Sequence, residues 1–366
     1  MHLSSVHLAS DIRIYQKEAL TMAAAGHDVA VVAVGIHDEA ANGIRVKAIP
    51  RAKNRFERMT ATAWKVFRIA LKNPADIYQF HDPELLPWAQ LLRLGGNRVV
   101  CDMHENVPKA ILTKPWIPTV LRRSLCSAYR LLERALLTGI PVVFAENSYE
   151  PDYPFVTAKT VVLNMPLLDR LLSISEPRYA KPTLAYLGSV TAQRGSLTTL
   201  EALRLLKQEG YAVDWDCMGE MTLSHGNELR GFIRQHSLSG VRMHGFTSHD
   251  QAWHTVAKCH IGLAVLHDVP NLRDSYPTKV FEYMSLGVPV VISDFPLYRA
   301  LINETHCGIC VEPGNASQLA QGIRWLLTHP EEASRMARSG REAARQRYNW
   351  ANEANKLVDF YSKIVA

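Results

Sequence analysis

The sequence predicts an α/β protein made of two doubly wound domains. Short apolar, β-branched runs alternate with helical stretches along nearly the whole chain, which is the pattern of parallel sheets with crossover helices. Several of these runs end in polar clusters, at the edge where such sheets bind ligands. Residues 166–182, with Pro166, Pro177 and Pro182 among mixed charges, read as a linker between two such series. A chain of 366 residues with 47% hydrophobic content is long enough for two separate cores.

In the first series, Leu3 to Val6 reads as a strand and Asp11 to Ala24 as a helix. Gly26 caps that helix, and Val29 to Val34 is the next strand. No Gly-x-Gly-x-x-Gly follows, which argues against a dinucleotide site here. Ile77 to Phe80 is a strand ending in His81-Asp82-Pro83-Glu84, and Arg98 to Cys101 one ending in Asp102-Met103-His104-Glu105-Asn106. Lone histidines are commonly structural, but two histidine-acid clusters on one sheet edge point to function. Lys109 to Leu137 reads as one basic helix, followed by strands Val142 to Ala145 and Thr160 to Leu163.

The second series opens with the strand from Thr183 and the loop Gly188 to Gly195, before a helix from Ser196 to Gly210. Arg194 in this loop suits a diphosphate, because its planar fork bridges two phosphate oxygens. Val213 to Asp216 holds an Asp-x-Asp, but these acids precede the ligand-facing end at Gly219 and are not expected to bind metal. Strands Val241 to Phe246 and Ile261 to Val265 lead into the stretch from Asp274 to Asp294. There a polar loop enters a helix from Val280 to Leu286, Gly287 ends it in a left-handed cap, and Val288 to Ile292 is a buried strand. Backbone N–H groups at the helix start and the Lys279 ammonium suit phosphate, and Glu282 suits the vicinal hydroxyls of a ribose. Asp274, eight residues before Glu282, would face what lies beyond the phosphates. Spacing alone leaves open an ordinary α/β loop with Glu282 favouring the helix dipole. A helical region then runs from Ala316 toward Gln346, and a last helix from Ala351 to Ile364.

No apolar run approaches the roughly 20 residues needed to span a bilayer, and residues 1–30 lack a basic start followed by an apolar block, so a cytoplasmic protein is expected. Six unevenly spaced cysteines do not form a disulfide framework. Cys307-Gly-Ile-Cys310 lacks a second pair for zinc and falls on a strand, so it is read as structural. The net charge of +6 is uneven: Arg45 to Lys72 carries nine basic residues against Glu57, interleaved with Phe56, Trp64 and Phe67. This suits an anionic membrane or a phosphorylated lipid, and equally a solvated basic face over core aromatics. No nucleic-acid-binding pattern accompanies it, so no nucleic-acid partner is expected.

The stretch 274–294 resembles the nucleotide-sugar signature of family 4 retaining glycosyltransferases: an acid, seven residues, a glutamate, then a small-residue turn and Pro-Val-Val. Tyr276-Pro-Thr-Lys279-Val-Phe-Glu282-Tyr-Met is close to a bacterial surface-polysaccharide subgroup, as are His7-x-x-x-Asp11-Ile-Arg13, His81-Asp82-Pro-Glu-Leu-Leu and Asp102-x-His104-Glu105. Two departures stand out: Asp274 replaces the family's glutamate, and Ser189 replaces a basic residue of the glycine loop.

The resemblance implies the GT-B fold, with two Rossmann-like domains facing across a cleft. Residues 1–165 would form the acceptor-side domain, 183–349 the nucleotide-sugar domain, and the helix in 350–366 would pack back on the first. It implies donor binding by Gly188, Arg194, Gly219, Tyr276, Thr278, Lys279 and Glu282, and catalytic roles for His104 and Asp274. Asp11, Arg13, His81 and Glu105 would line the acceptor side. No metal or other cofactor is expected. The implied partners are a UDP- or GDP-sugar, a saccharide or polyprenyl-diphosphate-linked acceptor, and the inner face of a bacterial membrane. A non-hydrolysing nucleotide-sugar epimerase and an inactive nucleotide-sugar-binding partner of an assembly complex are the rival readings.

Overall fold

The computed structural model describes residues 1–114 and 116–365, apart from the side chain of Asn271. The chain divides into two compact units. Met1–Asn164 with the last helix, Trp350–Val365, is one; Met165–Asn349 is the other.

The first unit is built on eight strands: β1 (His2–Leu8), β2 (Val29–Val34), β3 (Glu39–Ala41), β4 (Ile44–Ile49), β5 (Ile77–Phe80), β6 (Arg98–Met103), β7 (Val142–Phe144) and β8 (Lys159–Val161). Their order is β3-β4-β2-β1-β5-β6-β7-β8, parallel except for β3. β1 therefore has β2 on one side and β5 on the other, and the strand order reverses there. Every residue of β5 is buried, including the one polar residue, Gln79, whose amide donates to Glu18 at 2.6 Å. The last helix docks on this unit through buried Leu357, Phe360 and Tyr361, with Trp350 Nε1 donating to Thr21 Oγ1 at 2.9 Å and Glu353 accepting from the Leu163 N–H at 2.8 Å.

Three local expectations change in this unit. The basic run after residue 44 begins as a strand, paired with β2 on one side and β3 on the other. In β4 Ile44, Val46 and Ile49 are buried, while Arg45 and Lys47 point to solvent and pair with Asp28 and Asp38, each at 2.7 Å. The helix expected from Asp11 starts with a widened turn, Ile12–Ala19, in which the Asp11 carbonyl accepts from both Tyr15 and Gln16. The single helix expected over 109–137 is two, Val107–Thr113 and Thr119–Leu137, with extended backbone at Lys114 and Pro118. The Lys-Pro and Ile-Pro steps oppose helix at the residues before them; Pro115 lies outside the described residues.

The second unit holds six parallel strands: β9 (Thr183–Leu187), β10 (Asp214–Met218), β11 (Val241–Gly245), β12 (Ile261–Ala264), β13 (Val290–Ser293) and β14 (Gly308–Val311). Their order is β11-β10-β9-β12-β13-β14, so the reversal lies between β9 and β12. The segment 166–182 belongs to this unit and is not a loose linker. Arg178 donates to the carbonyls of Ala257 (3.0 Å), Cys259 and Gly287 (2.6 Å), and residues Leu168–Leu172 form a short helix. The helical region after Ala316 breaks at Pro330 into Ala316–Thr328 and Pro330–Gln346. All six cysteines are free, and β14 carries Cys310, in keeping with a structural role for the Cys-x-x-Cys.

At the β9–β12 reversal the helix Thr278–Ser285 inserts a fully buried tyrosine, Tyr283. β12 pairs with β9 only through Ile261–Leu184 and Gly262–Ala185. Beyond that point the Leu187 N–H donates to the Tyr283 hydroxyl at 3.0 Å, and the hydroxyl donates to the Leu263 carbonyl at 3.4 Å. The phenol substitutes for backbone partners where the strands diverge. Replacing Tyr283 by Phe leaves a buried N–H without a partner and is expected to cost about 1–3 kcal/mol in urea unfolding. A loss below about 0.5 kcal/mol would show that the Leu187 N–H finds another acceptor.

Candidate active site

In the second unit, the loops leaving β9 and β12 meet at the strand reversal. The His267 N–H donates to the Gln193 carbonyl at 2.8 Å, and its Nε2 lies 2.9 Å from Thr198 Oγ1. Glycine permits the close approach. A Cβ on Gly195, which has φ +80°, would come within 2.0 Å of the Val265 carbonyl oxygen. A Cβ on Gly219 (φ +153°) would come within 1.9 Å of the Gly188 carbonyl, so the ends of β9 and β10 are also in contact.

Lys279 reaches into this corner from the first turn of the helix Thr278–Ser285. It is buried, and among the described residues its Nζ has no hydrogen-bond partner. The ammonium lies 3.7 Å from the centre of the Tyr186 ring and faces Gly188. Burial, and then the positive charge of Arg194, push its pKa down to about 7. A buried, unpaired ammonium beside a second cation is a poor arrangement for the empty protein and a good one for an anion. Glu282, half-buried on the same helix, contributes a weaker opposing field. The structure thus brings Gly188, Arg194, Gly219, Lys279 and Glu282 to one corner. Tyr276 packs edge-on against Phe281, and exposed Thr278 opens the helix. Asp274 is half-buried at the end of the short helix Pro270–Arg273, on a loop held by the Tyr298 hydroxyl through the carbonyls of Leu272 and Ser275. Exposed Ser189 offers no charge.

The Asp-x-Asp of β10 is consumed by ion pairs. Arg242 bridges Asp214 and Asp216 at 2.9 and 2.7 Å, with Lys181 on Asp214 and His244 on Asp216.

In the first unit a buried polar network occupies the carboxyl ends of β1, β5 and β6. Asp102 is its centre. Arg13 binds it through two nitrogens at 2.7 and 3.0 Å, His81 Nδ1 lies at 3.0 Å, and His104 Nε2 makes a short contact to the same carboxylate. Burial opposes the charge, but Arg13 and His104 hold Asp102 well below the usual carboxylate range. Glu18, 3.0 Å from Arg13, moves the other way: burial and the Asp102 charge hold it protonated well above that range. An ionised Asp102 only accepts, so each neutral imidazole turns an N–H toward it. His81 Nε2 then accepts from His2 Nδ1 at 3.1 Å. His104 Nδ1 has no hydrogen-bond partner among the described residues, and its ring is half-buried.

Of the acceptor-side residues, Arg13 and His81 are joined in this network, together with His104, the residue expected to be catalytic. Glu105 is exposed at the next position, and Asp11 is a helix cap, its Oδ1 accepting from the Ile14 N–H at 2.9 Å. His7 and Asp82 form a second pair at 3.1 Å; burial works against the imidazolium, but the Asp82 carboxylate outweighs it and raises the His7 pKa. The sequence reading passed over Asp102 and Tyr283 as site residues. The period-2 spacing of Asp102 and His104 at a strand end was the signal for the first; nothing local marks the second. Among the described residues, two groups of donors converge closely enough for a metal, His2-Glu18-His81 and His81-Asp102-His104. Both are already engaged in these hydrogen bonds, and the Arg13 guanidinium sits on Asp102.

Comparison with known proteins agrees with both halves. Residues 16–153 match the glycosyl transferase 4-like domain, and residues 173–343 match glycosyl transferases group 1. The chain is a family 4-type glycosyltransferase with the GT-B fold. It is 24% identical over 339 residues to the phosphatidyl-myo-inositol mannosyltransferase of Mycobacterium leprae, covering 87% of this chain and 82% of that protein. It is 24% identical to the alpha-D-kanosaminyltransferase of Streptomyces kanamyceticus over 50% of this chain and 46% of the relative. Solved structures share the fold at low identity. Sucrose-phosphate synthase from Thermosynechococcus elongatus superposes with a TM-score of 0.74 at 17% identity, covering 94% of this chain and 91% of that one. WaaG, a glycosyltransferase involved in lipopolysaccharide biosynthesis, gives 0.71 at 16%, with 98% and 97% covered. Anabaena HepE in complex with UDP-glucose gives 0.73 at 14%, with 99% and 98% covered.

Removing the Asp102 charge takes away the bidentate anion on a buried guanidinium and leaves Glu18, 3.0 Å away, to ionise in its place. Asp102→Asn is expected to lose about 1.5–3 kcal/mol of stability in chemical denaturation. Asp11→Ala, which removes only a cap, is expected to lose about 1 kcal/mol in the same measurement.

Proposed function

We propose that the protein transfers a sugar, with retention of anomeric configuration, from a UDP- or GDP-sugar to a saccharide or polyprenyl-diphosphate-linked saccharide in bacterial surface-polysaccharide synthesis. The observation that carries this reading is the buried, unpartnered Lys279 ammonium beside Arg194 and the Gly188 loop. Glycosyl transfer from a nucleotide sugar releases a diphosphate whose negative charge grows in the transition state. Two fixed cations and the backbone N–H groups of a helix start stabilise that charge without reorganising. We therefore propose metal-independent catalysis. Glu282 binds the ribose, and Asp274 faces the transferred sugar. No nucleophile pair of the kind used by retaining hydrolases is proposed. The acceptor attacks from the face of the leaving group, and the departing phosphate takes its proton. His104, its tautomer fixed by Asp102, accepts a hydrogen bond from a sugar hydroxyl on its Nδ1 side.

The helix Thr119–Leu137 supports a peripheral site at the inner membrane face. It buries only Cys126, Glu133 and Leu137 fully, and exposes Val120, Leu121, Leu125 and Leu131 beside Arg122, Arg123, Arg130 and Arg134. That composition suits an anionic lipid surface. No helix among the described residues is long and apolar enough to cross a membrane. The absence of charge at Ser189 favours one second reading, a nucleotide-sugar-binding partner with little turnover.

Thermal stabilisation across UDP, GDP, ADP and their sugar conjugates tests the donor site. One base is expected to stabilise the protein, and Lys279→Ala and Glu282→Ala are expected to abolish the shift while remaining folded. Absence of a shift with every nucleotide would overturn the proposal, and binding without transfer to any saccharide acceptor would favour the second reading. The Lys279 pKa adds a pH dependence. Diphosphate prefers the protonated lysine, so affinity for a nucleotide sugar is expected to be level below a pH of about 7 and to fall as pH rises above it. Calorimetry in buffers of different ionisation enthalpy should show proton uptake on binding above that pH.

A further inference from the structure

The first unit contains a cavity of about 670 Å³, within the range of small-molecule sites. Three kinds of surface line it. The strand ends supply His7, Asp82, His104 and Glu105. Leu86, Trp88, Leu132 and Leu136 supply apolar wall, above a floor of buried Cys101 and Met103. Exposed Arg55 and Trp116, with half-buried Lys114, stand at the mouth. Arg55 lies 4.5 Å and Lys114 5.2 Å from the centre of the Trp116 ring. Neither cation has a carboxylate partner within 4.0 Å among the described residues, whereas Arg58, also lining the cavity, is paired with Glu84 at 2.7 Å. Two like charges over one indole, with no acid to neutralise them, call for an anion.

We propose that this cavity seats the acceptor as a phosphate-bearing amphiphile, with its accepting hydroxyl toward His104, an apolar segment against Trp88, Leu132 and Leu136, and its phosphate at Arg55 and Lys114. The proposal rests on the transferase reading above and narrows its acceptor to a molecule in which phosphate and apolar chain meet close to the hydroxyl. The volume admits the beginning of such a chain; the remainder would leave past Leu132, which is half exposed, toward the apolar residues on the outer face of the same helix. Glu133 also lines the cavity and receives the Tyr153 hydroxyl at 3.0 Å. Burial raises its pKa to about 7, so near neutrality it carries only part of a full negative charge, and less as pH falls.

Quenching of tryptophan fluorescence tests this, because Trp88 and Trp116 line the cavity. The probes are n-octyl phosphate, n-octyl β-glucoside and inorganic phosphate, titrated into the full chain. Octyl phosphate is expected to bind at least about tenfold more tightly than either of the others, a difference of roughly one strong contact. Arg55→Glu combined with Lys114→Glu is expected to remove that preference, and Leu132→Asp to weaken both octyl compounds alike. All these positions reach the surface, and circular dichroism with UDP affinity verifies folding of each variant. Equal binding of phosphate and octyl phosphate, equal binding of glucoside and octyl phosphate, or no binding of any probe overturns the proposal. Failure of every nucleotide to bind, with octyl phosphate binding intact, would instead overturn the donor reading and leave this site standing.

Discussion

The second unit depends on one hydrogen-bonded wedge. Where β9 and β12 part, the Tyr283 hydroxyl accepts from one strand and donates to the other, and its ring packs directly on Gly262 of β12. A buried phenol with both hydrogen-bonding roles satisfied holds its helix in register with the sheet. Lys279 lies one turn before it and Glu282 beside it, so their positions follow from this anchor. The loops from β9 and β12 then close on each other through His267 and through Gly195. The cation is buried because the helix that carries it cannot withdraw.

The first unit solves a different electrostatic problem. Arg13 lies between two carboxylates, but only Asp102 is held ionised; Glu18 keeps its proton and hydrogen-bonds with Gln79 at 2.6 Å. One buried positive charge thus meets one buried negative charge, which limits the desolvation cost that three ions would incur. Because the single anion is shared with His81 and His104, the same pairing that stabilises the unit decides which ring nitrogen of His104 is available. The stability of the unit and the orientation of both imidazoles are tied to one carboxylate.

Much of this was legible from residue order. The alternation of buried strands and helices gave both sheets, and polar clusters after β5, β6 and β9 marked the ligand edges, because chain direction in a parallel sheet places every such loop on one side. Lys279, Arg194 and Glu282 were identified on local spacing. What escaped notice depended on contacts distant in sequence. Asp11 shares a motif with Arg13 yet serves as a cap, a distinction made by backbone geometry. β4 was concealed because Arg45 and Lys47 read as a charge run until the intervening buried residues are counted as a strand face. The segment 166–182 has a linker's composition, and only the three carbonyls gathered by Arg178 reveal that it is fastened.

The wedge also constrains how this sequence can drift. A Cβ on Gly262 would lie 2.3 Å from the Tyr283 ring. Any side chain at 262 therefore demands a smaller residue at 283, and a smaller residue at 283 abandons the hydrogen bond to Leu187. Neither position can change first without loss, so the two are expected to be inherited as a unit. A lineage that accepted the glycine early would have been free to acquire the tyrosine, and thereafter unable to discard either alone.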